Sequence, residues 1–508
     1  MENVMRDFMG METFIDENYA RRTDHRFHAL GCPLSPDFSG ARKKAAEEGR
    51  RMKRKQPWAT QTDIAWTVCL FRANAISREQ AAVVLAALDR VRDVEEGVSG
   101  EERLVDVLDG DMDTASIVNY GRTLQEPMYR MKLRDKLMDV IDDLLGLMDL
   151  THRTAMENLE TIMVGHTHMN HAQPITYAHY LVTTFDGLFR SLQQLEMAYG
   201  FTNVNSGGCG SCSGTTWPVD RERMADLLGL DGVMEPTYDC EASQDHSLAI
   251  MFGLSNLAVH LSRYSRNQYI WAFDEFDMFR THPSMCGMSS FMPQKCDSCS
   301  MFEWVGITAA DVLGETVRGI LQMKGEPHAD VQAAFRLPFV AAECMVRAQA
   351  CIGTYRDLLK HSIPQKEQML SIVRAGFSCA TEVASYLIRE LGCGGRLAHS
   401  ITATFVRKAR EKGLKSFECT GELLDEAAEY LDVKKPGLDT VLVRELLDPE
   451  EFIRTHSRPG GPAPEENRRL LDKRASLMAD AVSRQKQRRE RVENALRELD
   501  RVSKEIQQ

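Results

Sequence analysis

From Asp63 onward, apolar residues recur every three or four positions, which is the spacing of one face of an α-helix. Three longer patterns of the same kind cover about 133–147, 176–199 and 242–273. These segments exceed the average globular helix of about 11–12 residues. Because the broad apolar stripe of a long helix must be covered by other long helices, the chain is predicted to form a helical bundle.

No run of alternating β-branched residues indicates a major sheet, so the predicted fold class is all-α. Residues that break helices are concentrated in a few segments, and loops on a rigid helical frame are where functional side chains usually lie. The segments are 119–121, 165–174, 206–218, 281–300 and 324–327.

The patterns divide the chain into five parts. Ser77, followed by Glu79 and Gln80, is typical of a helix start. In the tail, the apolar residues repeat at spacings near 3.5. This repeat predicts a helix that docks on a partner subunit or on its own bundle. The parts are a basic N-terminal extension (1–56), an N-terminal helical domain (57–112), a central long-helix bundle domain (113–365), a C-terminal helical domain (366–464) and a charged amphipathic tail helix (465–508).

Composition narrows the class of protein. Of the 508 residues, 43% are hydrophobic and 27% are charged, which is typical of a globular chain and excludes wholesale disorder. The net charge of −12 argues against a protein that coats nucleic acid. No apolar run reaches the roughly 18 residues of a membrane helix, and the N-terminus lacks the apolar core of a secretory signal. We therefore expect a cytoplasmic protein without nucleic-acid or membrane partners.

The 13 cysteines are expected to be reduced thiols in such a chain. Two pairs, Cys209/Cys212 and Cys296/Cys299, have the spacing of zinc ligands, but they are too far apart in sequence for an ordinary four-cysteine site. We expect neither a metal nor a cofactor, and a zinc protein is kept as an alternative class.

Four histidines lie within the segment 165–181, and histidine is the side chain most easily tuned for proton transfer near neutral pH. The segment runs into a helix, whose N-terminus offers free N–H groups to an anionic substrate. Metal ligation is the alternative for the three that lie within six residues, and a purely structural role is the alternative for any of the four. They are His166, His168, His171 and His179.

The segment 286–300 brings Ser289, Ser290 and Lys295 into one loop. A serine is a poor base unless a nearby ammonium and backbone donors stabilise its alkoxide. The apolar Phe291 and Met292 argue against a simple solvent-exposed loop. The glycines of 205–232, by contrast, form neither a Walker A motif nor a dinucleotide fingerprint.

These segments resemble the argininosuccinate lyase branch of the aspartase/fumarase superfamily. The resemblance covers about residues 60–465 and rests on three stretches. They are THMNHAQPITYAHYL (167–181), GSCSGTTWPVDRERMADLLGLDG (210–232) and MSSFMPQK (288–295), of which the last resembles the signature Gly-Ser-Ser-x-Met-Pro-x-Lys-x-Asn-Pro.

The resemblance implies a three-domain, L-aspartase/fumarase-like helical subunit with a long central bundle. It further implies a homotetramer whose active sites are shared between subunits, and a small dicarboxylate substrate. The implied reaction is a reversible elimination that releases fumarate from an N-substituted aspartate, with no cofactor.

The resemblance also implies roles for residues. Ser289 matches the family's base, Lys295 matches the group that stabilises the dianionic intermediate, and His168 matches an acid or proton relay. Glu303 stands one residue after the position of the glutamate that orients that histidine. The implied substrate-binding set is Thr167, Thr123, Arg122, Gln125, Ser290, Asp297 and Gln332.

The departures from the family pattern concern substrate binding. Leu124 and Gln244 stand where the family has arginines, and Asp297 replaces an asparagine. Leu cannot imitate the bidentate contact of Arg with a carboxylate, so we expect a retained reaction on a substrate other than argininosuccinate. Arg122 or His171 is then a candidate to take over a carboxylate.

Two alternatives remain open besides the zinc protein. The first is a lyase or ligase that acts on the C–S bond of an S-succinyl compound. The second is a non-catalytic tetrameric descendant, which the eroded positions favour and the retained Thr167, His168, Ser289 and Lys295 disfavour.

Overall fold

The computed structural model of the chain describes six stretches of residues, and all statements below concern these: 57–92, 100–123, 127–282, 285–287, 291–295 and 299–508. The basic extension predicted over 1–56 lies outside them. Within them the chain forms 18 α-helices and four short strands, so the predicted all-α class is confirmed.

Four helices open the described chain, and a short 3-10 turn, Ser116–Asn119, follows them. Ser77 begins the second helix as predicted: its hydroxyl accepts from the amide of Gln80, whose side chain caps Ser77 in return. The helices are α1 (Pro57–Arg72), α2 (Arg78–Val91), α3 (Gly100–Val107) and α4 (Met112–Ala115).

The middle of the chain contains five long helices. In order, its elements are α5 (Met128–Glu157), β1 (Ile162–Thr167), β2 (Asn170–Thr176), α6 (Tyr177–Thr202), α7 (Arg221–Leu228), α8 (Thr237–Ala242), α9 (Asp245–Trp271), β3 (Phe279–Thr281), α10 (Met301–Met323) and α11 (Gln332–His361). The three long apolar patterns correspond to α5, α6 and α9, which pack with α10 and α11 around one core. Each helix buries its apolar stripe against the others, so the predicted bundle is confirmed.

The C-terminal part is built from short elements. They are β4 (Ser362–Pro364), α12 (Lys366–Ala375), α13 (Ala380–Arg389), α14 (Gly395–Glu411), α15 (Gly421–Tyr430), α16 (Thr440–Leu446) and α17 (Pro449–Thr455). Strand β4 pairs antiparallel with β3, and α13 to α16 surround a separate apolar cluster that includes Leu387, Phe405 and Leu424. The domain boundaries at 112/113 and 365/366 stay a prediction.

The tail forms α18 (Pro464–Gln507), whose 44 residues span about 66 Å. Its apolar side chains Leu471, Val492 and Leu499 are buried against this same chain. Buried Gln485 donates to the carbonyl of Met138 at 2.9 Å. The tail helix was expected to dock either on a partner subunit or on its own bundle, and in the structure it docks on its own bundle.

The two ends of the bundle hold different segments. The 30 residues of α5 extend about 45 Å. At its start, the Tyr129 ring lies 5.5 Å from Phe335 near the start of α11; at the other end, Trp271 of α9 lies 6.2 Å from His166 in β1. We call the first the glycine-loop end (residues 120–123, 206–217, 236–245 and 328–332) and the second the hairpin end (the described residues of 162–176, 279–282, 285–287, 291–295 and 299–300).

Residues 165–174, predicted to be a loop, instead form most of a β-hairpin, and that expectation was wrong. Strands β1 and β2 pair antiparallel from Ile162↔Thr176 to Thr167↔Asn170, with an irregularity between Val164 and His166. Both strands of the hairpin carry polar side chains, so the sequence lacks the alternation of apolar and polar residues that would predict strands. Among the helices in the described ranges, none has the length and apolarity needed to cross a bilayer.

Candidate active site

A tight turn positions Thr123 at the glycine-loop end. Gly121 has a φ of 71° and packs against Trp217 so closely that a Cβ there would overlap the indole ring. The indole of Trp66 donates to the carbonyl of Tyr120 at 3.0 Å. The turn therefore requires glycine and is held from both sides.

Arg122, predicted to bind substrate, is buried and occupied within its own chain. Its guanidinium forms an ion pair with Asp63 and donates to the carbonyl of Val118 at 2.9 Å. The predicted role of Arg122 in substrate binding stays a prediction. Its contacts with Asp63 and Val118 show that it has a structural role. Gln125 lies outside the described residues.

Thr123 lies beside a carboxylate that is not among the predicted site residues. The Thr123 hydroxyl lies 3.5 Å from Oε1 of Glu241, near the end of α8. Gln332, the first residue of α11, is exposed at this same end. The only sequence signal for Glu241 was its place directly before Ala242–Asp245, the stretch that departs from the family pattern.

The glycine loop and α8 are tied together by two polar contacts. The buried Cys209 thiol donates to Oε1 of Glu241 at 3.1 Å, and the Thr237 hydroxyl donates to the carbonyl of Cys212 at 2.8 Å. The neighbouring Cys209 side chain and the Arg221 guanidinium, which lies 3.4 Å from the Cys240 sulfur, lower the pKa of the Cys240 thiol to about 7. This end is thus a network assembled by one chain.

At the hairpin end, Thr167 and His168 lie at the tip of the hairpin. Thr167 pairs with Asn170 across a two-residue turn in which His168 and Met169 have φ values of 50° and 62°. Positive φ at both central residues is typical of a type I′ turn, which normally selects Asn-Gly. A strained conformation of two non-glycine residues often marks a functional site, and the His168 side chain is exposed.

The other histidines of this segment differ in their surroundings. The rings of His166 and His171 lie 5.5 Å apart and nearly perpendicular. Partial burial lowers the pKa of both below 6.5, and His171 lowers that of His166 further. His179 instead contacts the buried Asn467 side chain at 3.1 Å, which ties α6 to the tail helix. His179 therefore has a structural role.

The serine loop is described only in part. Ser289, Ser290 and Asp297 lie outside the described residues. Lys295 is exposed, and its amide donates to the carbonyl of Met292 at 3.1 Å. Phe291 is 89% exposed, although its apolar side chain argued against a solvent-exposed loop.

Two further residues flank this loop. Glu303 accepts a hydrogen bond from the Tyr269 hydroxyl at 3.0 Å, which fixes it on the side of α9. Cys299 is buried, and burial raises the pKa of its thiol to about 11, so it is a poor ligand and a poor nucleophile at neutral pH. No group of three or more metal-ligating side chains occurs in the part of the chain that the structure describes.

Within one subunit, the predicted site residues fall into two groups. Thr123, Arg122 and Gln332 lie at the glycine-loop end, whereas Thr167, His168 and Lys295 lie at the hairpin end. The length of α5, about 45 Å, separates the groups. A single chain therefore does not bring them together.

Comparison with known proteins places the chain in a family. A model of the family described as "Lyase" matches residues 39–314, and one described as "Argininosuccinate lyase C-terminal" matches residues 377–454. The argininosuccinate lyase of Methanothrix thermoacetophila is 31% identical over 458 residues, which cover 86% of this chain and 91% of that protein. The argininosuccinate lyase of Methanosarcina barkeri is 30% identical and covers 81% and 85%.

Solved structures show the same fold. EDDS lyase in complex with formate superposes with a TM-score of 0.82 at 24% identity, over 89% of this chain and 91% of that chain. A fumarate lyase from Mesorhizobium sp. BNC1 gives a TM-score of 0.65 at 18% identity, over 82% and 95%. The chain thus belongs to the argininosuccinate lyase branch of the aspartase/fumarase superfamily, and it is a carbon–nitrogen lyase that releases fumarate.

Proposed function

We propose that this lyase releases fumarate from an N-substituted aspartate other than argininosuccinate. The observation that carries the proposal is the contrast between retained and lost residues. Thr167, His168, Ser289 and Lys295 are present, whereas leucine and glutamine occupy the positions of two clamping arginines. Gln244 precedes α9, where its side chain accepts from the Ser247 hydroxyl at 3.2 Å.

In the proposed reaction, Ser289 takes a proton from the carbon next to a carboxylate. The negative charge spreads into that carboxylate, and a dianion of this kind needs positioned cations and N–H donors. Lys295 supplies the ammonium. His168, exposed at the hairpin tip, gives a proton to the departing nitrogen as the C–N bond breaks, which yields fumarate and an amine.

The site is proposed to form between subunits of a homotetramer. Support comes from the separation of the two groups of site residues and from an uncovered apolar face on the bundle. Exposed patches of this kind on a monomer mark protein contacts. Large exposed apolar residues on α9 and α10 are Phe252, Val259, Ile307, Leu313, Val317, Ile320 and Leu321. The cytoplasmic location stays a prediction of the sequence.

The test follows fumarate formation by its ultraviolet absorbance with purified enzyme and a panel of N-succinyl and S-succinyl compounds. We expect turnover of at least one N-succinyl compound and poor turnover of argininosuccinate. Efficient cleavage of argininosuccinate would overturn the changed substrate. Turnover of S-succinyl compounds alone would replace C–N by C–S cleavage, and no turnover of any compound would favour the non-catalytic descendant.

Replacement of the proposed base completes the test. Ser289→Ala is expected to abolish turnover, because no other group in the proposal removes the proton. Ser300→Ala is the matched control, since Ser300 is exposed and makes no side-chain cap of α10. Unchanged turnover by the Ser289 variant would exclude it as the base.

A further inference from the structure

We infer that Cys209 and Cys240 form a dithiol that peroxides oxidise to a reversible disulfide. Cys240 is the sulfur that reacts first, and Cys209 closes the disulfide. The bond joins the glycine loop (206–217) to α8 at the glycine-loop end of the bundle. The inference names a modification site, and the formation of the bond does not depend on the substrate of the enzyme.

The two thiols are neighbours across the contact between the glycine loop and α8. The Cys209 sulfur lies 3.1 Å from Oε1 of Glu241, the residue that follows Cys240 in α8, and the Cys209 side chain contacts the Cys240 thiol. The Thr237 hydroxyl, which donates to the carbonyl of Cys212 at 2.8 Å, joins the same two segments at a second point. Two cysteines whose side chains touch are within reach of a disulfide, whose Cα atoms are usually about 4.4–6.8 Å apart.

Arg221 makes Cys240 the more reactive of the two thiols. Its guanidinium lies 3.4 Å from the Cys240 sulfur and donates to the carbonyls of Gly207 and Met234 at 2.7 and 2.8 Å, which fix it in place. The Cys209 side chain and Arg221 lower the pKa of Cys240 to about 7, although burial acts in the opposite direction. About half of this thiol is therefore ionised at neutral pH, and the thiolate is the form that attacks a peroxide. Cys240 also keeps 7% of its surface exposed, whereas Cys209 is completely buried.

Six other thiols are protected from this reaction by their surroundings. Burial raises their pKa values to about 11 or 12, so no more than about one thiol in 10⁴ is ionised at pH 7. These thiols are Cys69, Cys299, Cys344, Cys351, Cys379 and Cys419. Oxidation is therefore expected to begin at Cys240 and not at these buried cysteines.

One molecule of hydrogen peroxide balances the reaction. The Cys240 thiolate attacks a peroxide oxygen, so that an S–O bond forms, the O–O bond breaks and hydroxide leaves. The Cys209 sulfur then attacks the sulfenic acid of Cys240, and an S–S bond replaces the S–O bond as the oxygen leaves as water. Oε1 of Glu241, at 3.1 Å, is placed to take the proton of Cys209. In total the two thiols lose two electrons and the peroxide becomes two molecules of water, and a dithiol reductant reverses the oxidation by disulfide exchange.

The disulfide changes the surroundings of Thr123. It removes the hydrogen bond between the Cys209 thiol and Glu241, whose carboxylate lies 3.5 Å from the Thr123 hydroxyl. We therefore expect the oxidised enzyme to release fumarate more slowly and to recover after reduction. This effect on turnover rests on the proposed function and on the predicted role of Thr123 in substrate binding, whereas the disulfide itself does not.

Peptide mapping of the oxidised full-length enzyme tests the inference without any substitution. The purified enzyme is treated with one equivalent of hydrogen peroxide per chain at neutral pH, alkylated and digested without a reductant. Mass spectrometry with fragmentation then identifies which cysteines are joined. We expect the Cys209–Cys240 disulfide as the main product, lost again after treatment with a dithiol. A disulfide between Cys212 and Cys240, or a Cys240 that stays fully reduced while other thiols are oxidised, would overturn the inference.

Three variants assign the role of each sulfur. Cys240→Ser should slow the loss of free thiols about tenfold, because the thiolate that reacts first is absent. Cys209→Ser should stop at the sulfenic acid of Cys240, which dimedone traps. Cys212→Ser is the matched control, since its thiol is exposed in the same loop, and it should form the disulfide as the wild type does.

The outcomes separate the modification from the proposed function. Thiol loss at the wild-type rate in Cys240→Ser, or no trapped sulfenic acid in Cys209→Ser, would overturn the inference. A disulfide that forms as expected while fumarate release keeps its rate would support the dithiol and overturn its link to turnover. Absence of fumarate from every compound of the panel, before any oxidation, would overturn the proposed function alone.

Discussion

The two ends of the bundle present their chemical groups in opposite ways. At the glycine-loop end, Thr123 and Arg122 are already engaged by Glu241 and Asp63 of the same chain. At the hairpin end, His168 and Lys295 project from the chain as exposed side chains. The first end is preorganised by its own subunit, and the second acquires its surroundings, in the proposed tetramer, from neighbouring subunits.

The largest effect is expected from the hairpin end. Lys295→Met should lower kcat/KM by about 10²–10³-fold, the loss typical when a group that stabilises a developing anion is removed. Fumarate release from the best N-succinyl substrate measures it. Lys486→Met, on the tail helix, is the control, because its side chain is 73% exposed and pairs with Glu490 of its own helix. Retention of most activity by the Lys295 variant would remove it from the mechanism.

Substitution of His168 at the hairpin tip distinguishes a role in proton transfer from a role in the conformation of the turn. His168→Asn should lower kcat about 10²-fold, as expected for the loss of a proton donor. Asparagine adopts positive φ readily, so the turn and the free energy of unfolding should change little. A variant that loses activity only together with stability would make His168 a structural residue.

The two partly buried histidines of the hairpin should also make the stability of the protein depend on pH. Burial lowers the pKa of His166 and His171 below 6.5, so below about pH 6.5 the unfolded chain binds more protons than the native one. The stability contributed by these neutral rings is complete above that pH and is lost as pH falls through their lowered pKa values.

Urea midpoints at about pH 7.5 and about pH 5 measure this loss. The double variant His166→Gln, His171→Gln should lose less stability between the two conditions than the wild type does. His399→Gln, at an exposed position of α14, should behave like the wild type. An identical loss in all three proteins would exclude the hairpin histidines as its source.

The smallest effect concerns strain in the turn. Met169 has a φ of 62°, and glycine adopts this conformation without steric cost. Relief of a strain of about 1–2 kcal/mol is partly offset by the greater entropy of glycine in the unfolded chain, about 0.5–1 kcal/mol. Met169→Gly should therefore raise the free energy of unfolding by about 0.5 kcal/mol, measured by urea denaturation. Destabilisation instead would show that the methionine side chain makes a contact that outweighs the strain.

The sequence predicted the fold where local signals suffice. The stripe through 133–147 and the capping residue Ser77 mark helices by spacing and hydrogen bonding within a few residues. The hairpin was missed because its turn, His168–Met169, contains neither asparagine nor glycine, and positive φ at such residues has no sequence signal.

The candidate site was predictable only as separate segments. Glu241 contacts Thr123 across 118 positions of sequence, and no spacing rule connects residues so far apart. The tail is similar: its apolar repeat predicts docking, but only the fold pairs Arg474 with Asp186 at 2.5 Å across 288 positions. The contact of Glu241 with Thr123 and the docking of the tail both depend on residues far apart in sequence, and such pairs cannot be predicted from a single sequence.

The central claim is that one active site combines both ends of the bundle and therefore different subunits. It is tested by mixed tetramers of two inactive chains, one with Thr123→Val and Gln125→Ala and the other with Ser289→Ala, unfolded together and refolded. We expect recovery to about a quarter of wild-type activity, because random mixing leaves about one site in four with both groups intact. A mixture of Ser289→Ala and Lys295→Met chains, whose lesions share one loop, should stay inactive. No recovery in the first mixture would contradict a site shared between the two ends.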